Sequence, residues 1–221
     1  VDFRDPRRDK SHGRIWRISV KGAATQPKID LTTLANAGLF ERLVGPNGYD
    51  QEQARRVLVE RGAAAVRADL EIWAGRQKAE PARLQALWLY QALNLSPARP
   101  AGGLIEARDA RVRAAVGRTL PVAGARPQLE ILVADPHPRV RVEAVRALGR
   151  QGSVRAAELA LSVLNQAMDP FLDYALWLTI NELAEPWLAA VKSGAWQIAG
   201  REKQLEFGLN AFGQSVLGYD Q

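Results

Sequence analysis

The chain has 221 residues, 47% apolar and 24% charged, with a formal net charge of +6 and no cysteine. That length allows burial of roughly 70% of the extended chain's surface, and the composition is that of a globular protein. A disulfide framework, a zinc-thiolate site, an iron–sulfur cluster and a thioether-linked haem all need cysteine and are excluded. The longest charge-free stretch, Leu84 to Ala98, is 15 residues and contains Gln85, Gln91, Asn94 and Ser96, too short and polar to span a bilayer. Val1 leads directly into charged residues, with no initiator Met and no signal peptide, so the sequence reads as a fragment or a processed product.

The charge is unevenly placed. Residues 1–22 hold seven Lys/Arg against three Asp, whereas residues 23–221 hold 23 basic and 21 acidic side chains. A nucleic-acid binder would be expected to carry its positive charge on the folded body rather than on a short arm.

In chain order, the first predicted element is a strand over 14–20, where Arg17, Ile18, Ser19 and Val20 alternate between Gly13 and Gly22. A single strand cannot satisfy its own backbone, and no later segment offers a partner, so it is expected to pair outside this chain. From Leu31 the pattern is helical. Leu31, Leu34, Leu39 and Leu43 form a stripe, and Asp50 with Gln53 suggests a capping box ahead of Ala54, Val57 and Leu58. Pro81 and Pro170 suit first-turn positions, and Asp169 suits the N-cap before Pro170. Breakers at 45–48, 97–103, 121–127 and 135–138 divide the chain into eleven or twelve predicted helices.

The helices repeat. Asp109-Ala-Arg-Val-Arg-Ala-Ala-Val-Gly-Arg-Thr-Leu120 aligns with Asp135-Pro-His-Pro-Arg-Val-Arg-Val-Glu-Ala-Val-Arg-Ala-Leu148 so that Val112-Arg113 matches Val140-Arg141. The same register places Ala54, Trp88, Val116, Ala144 and Leu176 at equivalent positions. Spacings near 30 residues with two helices per unit predict an all-α, right-handed α-solenoid of about five helix pairs.

The form Asp…Val-Arg-x-x-Ala-x-x-x-Leu resembles a short HEAT repeat. That resemblance implies a stacked polar ladder between units, carried here by Asp109 with Arg113 and Asp135 with Arg141 and broken at the last unit, where Asp173 takes the arginine position. The order of parts is more specific. Residues 4–18 (Arg-Asp-Pro-Arg-Arg-Asp-Lys-Ser-His-Gly-Arg-Ile-Trp-Arg-Ile) precede a helical domain that opens with Leu39-Phe-Glu-Arg-Leu-Val-Gly-Pro-Asn-Gly-Tyr-Asp and continues to Gly62. This resembles the middle of the planctomycete and verrucomicrobial membrane-bound dehydrogenases, in which a β-propeller is followed by HEAT-like repeats and a c-type haem-binding domain. The resemblance implies that residues 1–22 end a propeller and residues 23–221 are a HEAT-like solenoid. It also implies a periplasmic or secreted location, flanking propeller and cytochrome domains as partners, and haem c only in a downstream domain. It transfers no catalytic residue, cofactor or metal ligand to this chain. The expected role is a non-catalytic scaffold or protein-interaction domain of a larger redox protein.

Other groups point to chemistry less well. His12 and His137 are the only histidines, and His137 sits between two prolines as an inter-helix turn residue. Asp169/Asp173 and Glu182/Glu185 are spaced to share helix faces, but a cap and an exposed first-turn acid explain the first pair. Gly45-Pro46-Asn47-Gly48 and Gly102-Gly103 lack the context of a phosphate loop. Residues 104–155 hold ten Arg against five acids, and residues 163–221 hold three basic against seven acidic side chains. Arg108, Arg111, Arg118, Arg139, Arg146 and Arg150 therefore form a candidate basic surface for an anionic partner. A solenoid that holds nucleic acid on 104–155 is the second reading, disfavoured by the nearly neutral body.

Overall fold

The computed structural model describes residues 29–96, 98–121 and 124–216, and within the N-terminal segment residues 5, 7, 9, 11, 13, 18 and 20–22; side chains 98–99 and 214–216 are not described. The chain divides into two compact units, Val1–Asp30 and Leu31–Gln221. In the first, Arg7 closes on Asp5 through its backbone N–H (2.9 Å) and its guanidinium (2.7 Å). The strand expected at 14–20 falls mostly outside the described residues; Ile18 and Val20, which are described, are exposed and in no strand.

The second unit is all-helical among its described residues. Its helices are α1 (Asn36–Leu43), α2 (Gly48–Arg61), α3 (Ala63–Arg76), α4 (Glu80–Ala92), α5 (Ala98–Gly102), α6 (Ala110–Thr119) and α7 (Arg126–Val133). They are followed by α8 (Pro138–Gly149), α9 (Val154–Leu161), α10 (Pro170–Glu182), α11 (Ala184–Lys192) and α12 (Glu202–Val216). Local chemistry sets their starts. Asp109 accepts from the Arg111 N–H at 2.8 Å, Ser153 from Ala156 at 3.2 Å and Asp169 from Leu172 at 2.8 Å, each satisfying an orphan first-turn donor. Pro81 and Pro170 occupy first-turn positions, where a missing N–H costs nothing. At α2 the cap is Asn47 rather than Asp50: its side chain accepts from Tyr49 at 3.0 Å, and Asp50 lies inside the first turn, paired with Arg42 at 3.1 Å. Gly62, at φ +80°, is the one residue between α2 and α3; its left-handed backbone lets two helices meet almost without a loop.

Packing follows chain order. Helices α2, α4, α6, α8, α10 and α12 touch in succession and form one row. Behind it α1 touches α3, and α7, α9 and α11 touch in turn, so this second unit is a two-row, solenoid-like stack. Each even helix buries one stripe: Ala54, Val57 and Leu58 on α2; Val116 on α6; Val140, Ala144 and Leu148 on α8; Leu172, Leu176 and Ile180 on α10. Helix α4 departs from the expected register. Its buried residues are Ala82, Ala86, Leu87, Leu89 and Tyr90, so Ala86 rather than Trp88 is equivalent to Val116, while Leu84 and Trp88 are only half-buried.

The C-terminal end closes on aromatic packing. Trp187 is fully buried, edge-on to Trp196 (centroids 5.5 Å, 68°) and tilted against Phe212 (5.7 Å). Gly208 lets α12 approach: a Cβ there would lie 2.5–3.0 Å from three Trp187 ring atoms. Gly208→Ala overpacks this contact and is expected to destabilise by about 1–3 kcal/mol despite alanine's better helix propensity. Urea denaturation measures it; a stabilised variant would show that the indole can yield.

Candidate functional site

Two features of the even row carry polar chemistry. The first is a rung between α6 and the turn before α8. Arg113 donates from Nε to Asp135 Oδ2 at 2.6 Å and from Nη2 to Asp135 Oδ1 at 3.0 Å, with side-chain exposures of 15% and 7%. Asp135 Oδ1 also accepts the His137 N–H at 2.8 Å, and Arg113 Nη1 donates to the Ala107 carbonyl at 2.7 Å. Burial pushes the Asp135 carboxyl upward, but the Arg113 guanidinium and the His137 amide outweigh it and hold it below the usual carboxylate range.

The arginine position has a counterpart in each of the three even helices ending at α8. On α4 Arg83 donates to the Gly103 carbonyl. On α8 Arg141, 2% exposed, donates to the carbonyls of Asp135 (2.8 Å), Pro136 (3.0 Å) and Ala167 (2.5 Å). These arginines act as clamps on neighbouring turns, and only Arg113 has a carboxylate as its principal partner. Asp109 is turned to its own helix instead: it caps α6, pairs with Arg111 at 2.7 Å and is held down to about 2 by that arginine's side chain and amide. Asp173, at the arginine position of α10, is exposed, and among the described residues Arg141 forms no ion pair with Asp169.

The second feature is the face of the even row turned away from the odd helices. Exposed and half-buried positions recur there at i, i+3, i+4 and i+7: Arg111, Ala115 and Arg118 on α6, and Arg139, Val142, Glu143 and Arg146 on α8. Arg150 continues the α8 stripe one turn on, donating to the Leu120 and Arg146 carbonyls. Five of the six arginines of the candidate basic surface thus share one face; Arg108 is exposed in the turn before α6, its backbone N–H bound to Glu80 at 2.8 Å.

Most of this charge is paired. Arg118 reaches Glu143 with Nε and Nη2, Arg139 Nε stands 3.6 Å from the same carboxylate, and Arg146 pairs with Glu182 at 2.8 Å. Arg146 also donates to the buried Thr179 hydroxyl at 3.0 Å, which itself donates to the Val145 carbonyl, tying α8 to α10. Glu143 had no place in the sequence-level basic surface, although its i+4 spacing from Arg139 signals the pair. Between α4, α6 and α8 the face opens into a groove of about 310 Å³ lined by Trp88, Arg111, Ala114, Ala115, Arg118, Arg139 and Glu143. Arg55 lies over the Trp88 indole, 5.8 Å from its centroid.

Among the described residues no convergent catalytic constellation accompanies these features. His137 is the N-cap of α8, its Nδ1 accepting from Arg139 at 3.2 Å, and His12 lies outside the described residues. Glu182 is engaged by Arg146. Among the described residues no group of three His, Cys, Asp or Glu side chains stands close enough to hold a metal, and no helix is long and apolar enough to cross a membrane.

Comparison of the chain with protein-family models and with curated protein sequences returns no match.

Proposed function

We propose that this chain is a HEAT-like solenoid of about five helix pairs that works as a non-catalytic scaffold or protein-interaction domain. In the larger redox protein suggested by residues 4–18 and 39–62, it spaces a propeller dehydrogenase from a cytochrome c domain in the periplasm or outside the cell, with residues 1–22 as the end of the propeller. Haem c belongs to the cytochrome domain in this reading, and the chain itself carries no cofactor.

The observation that supports it best is the Arg113–Asp135 rung, its carboxylate buried and its guanidinium half-buried, set in a row of helices that each bury an equivalent stripe. Such a row is a stiff spacer, because every unit is held by both neighbours. Replacing the domain in the parent protein with a flexible Gly/Ser linker of similar reach tests the role. Electron transfer from dehydrogenase to haem is expected to slow at least tenfold, with each centre's own activity intact; unchanged transfer would overturn the scaffold.

The second reading, nucleic-acid binding on 104–155, draws on the arginines collected on one face. It needs many free guanidinia for phosphates, and Arg111, Arg118 and Arg146 are engaged by carboxylates of this chain at hydrogen-bonding distance, which leaves only Arg139 loosely held. A mobility shift at two salt concentrations separates the readings. Retardation of DNA that collapses with salt would favour this one.

A further inference from the structure

We propose that the groove between α4, α6 and α8 is a docking site for an extended acidic protein segment that inserts one bulky apolar side chain beside Trp88. The proposal rests on the interaction-domain reading and names the partner chemistry of its exposed face.

The floor and walls differ in kind. Ala114 and Ala115 are small, leaving α6 low between its neighbours, and the Trp88 indole forms one apolar wall. About 310 Å³ is near the lower end for small-molecule sites, room for one aromatic or branched side chain rather than a cofactor. Trp88 is half-buried although it is among the largest apolar residues of its helix; burial is taken by Ala82 and Ala86 instead. An aromatic ring withheld from the core and aimed at a surface groove is the composition of a binding anchor.

The rim supplies sign and limits multiplicity. Arg111, Arg118 and Arg139 are 89%, 63% and 62% exposed at the side chain. Their partners are Asp109 and Glu143, the latter shared by two guanidinia, which leaves one positive charge uncompensated over the groove. At 3.6 Å the Arg139 contact to Glu143 is an ion pair without a short hydrogen bond, so its donors are open to a second carboxylate. One or two carboxylates fit this rim. A phosphate backbone, which is held by many unpaired cations, does not.

Length follows from helix spacing. Neighbouring helix axes lie about 8–10 Å apart, so α4 to α8 spans roughly 18 Å, or about six residues of extended chain. Exposed aromatics stand on the helices at both ends of this face: Tyr49 on α2 and, at the equivalent position of α10, Phe171, with Tyr174 one turn on. They extend the same apolar character to a longer segment.

Fluorescence anisotropy of a fluorescein-labelled Glu-Asp-Phe-Glu-Asp-Leu peptide against the full chain tests the groove. Saturable binding is expected, weakened at least tenfold by Trp88→Leu, at least threefold by Arg139→Gln, and tenfold or more when serine replaces Phe and Leu in the peptide. Circular dichroism melting of each variant establishes that the fold is kept. The proposal is overturned by absence of binding at millimolar peptide, by equal binding of the serine peptide, or by Trp88→Leu without effect. It is equally overturned if a labelled dT20 oligonucleotide binds more tightly, or if the chain self-associates through this face at working concentration. A negative peptide result beside slowed electron transfer in the linker replacement removes the groove's assignment alone; unchanged transfer removes the scaffold.

Discussion

Asp135→Ala is expected to destabilise the domain by about 2–3 kcal/mol, because it leaves the half-buried Arg113 guanidinium without its counter-charge. The loss has two parts. Arg113 keeps only carbonyl partners at Ala107 and Arg108, and the His137 N–H at the start of α8 loses its acceptor. In a stack held by nearest neighbours, the damage should centre on α6–α8 and spare α1–α3. Urea denaturation gives the magnitude and hydrogen exchange the location. A cost below about 1 kcal/mol would mean that the rung is replaceable by water.

The same pair gives the domain an acid sensitivity of definite sign. The Asp135 carboxyl lies below its ordinary value in the folded state, so its stabilisation is complete above the unfolded value of about 4 and is lost as pH falls through the lowered folded one. The stability gap between wild type and Asp135→Asn should therefore be constant from pH 7 to about 5 and narrow below about 4. A gap that widens on acidification would contradict the pairing.

Trp187→Ala is the second large effect, expected at about 3–5 kcal/mol from lost burial and the cavity left behind. The indole is wholly enclosed between Trp196, Phe212 and the Gly208 turn of α12, so little can collapse into its place. The aromatic contacts add to the loss. The Trp187 Nε1 is buried with no acceptor among the described residues, which makes Trp187→Phe the milder substitution: it keeps ring packing and removes an unsatisfied donor. Exchange protection should fall in α10–α12 while α2–α6 keep theirs. A uniform loss over the whole stack would contradict local coupling.

What the sequence reveals of this molecule depends on how local the determining chemistry is. The start of α10 is legible because Asp169 and Pro170 act on their own helix, whereas Asp109, expected in the ladder, turns out to cap α6. The α8 stripe is legible because Val140, Ala144 and Leu148 are both apolar and buried. The register of α4 is not, since Leu84 and Trp88 outweigh Ala82 and Ala86 on any apolar scale, yet the close approach of neighbouring helices favours the alanines. The cap of α2 is misplaced for a similar reason: Asn47 and Asp50 both suit a cap, and only the turn at 45–47 decides. The basic surface is visible as composition and overstated as charge, because the carboxylates of Glu143 and Glu182 reach it from different turns or helices. Arg113 and Asp135 lie 22 residues apart, and their pairing follows only once α6 and α8 are stacked.

The proposed role requires this helical stack to be held between partners, with the face of α4, α6 and α8 as a contact surface. Hydrogen–deuterium exchange of the chain alone and within its parent protein tests it most directly. Slower exchange on the exposed face of α4, α6 and α8 in the parent, with the α7 and α9 side unchanged, is the predicted result. Identical exchange on that face in both states would contradict it.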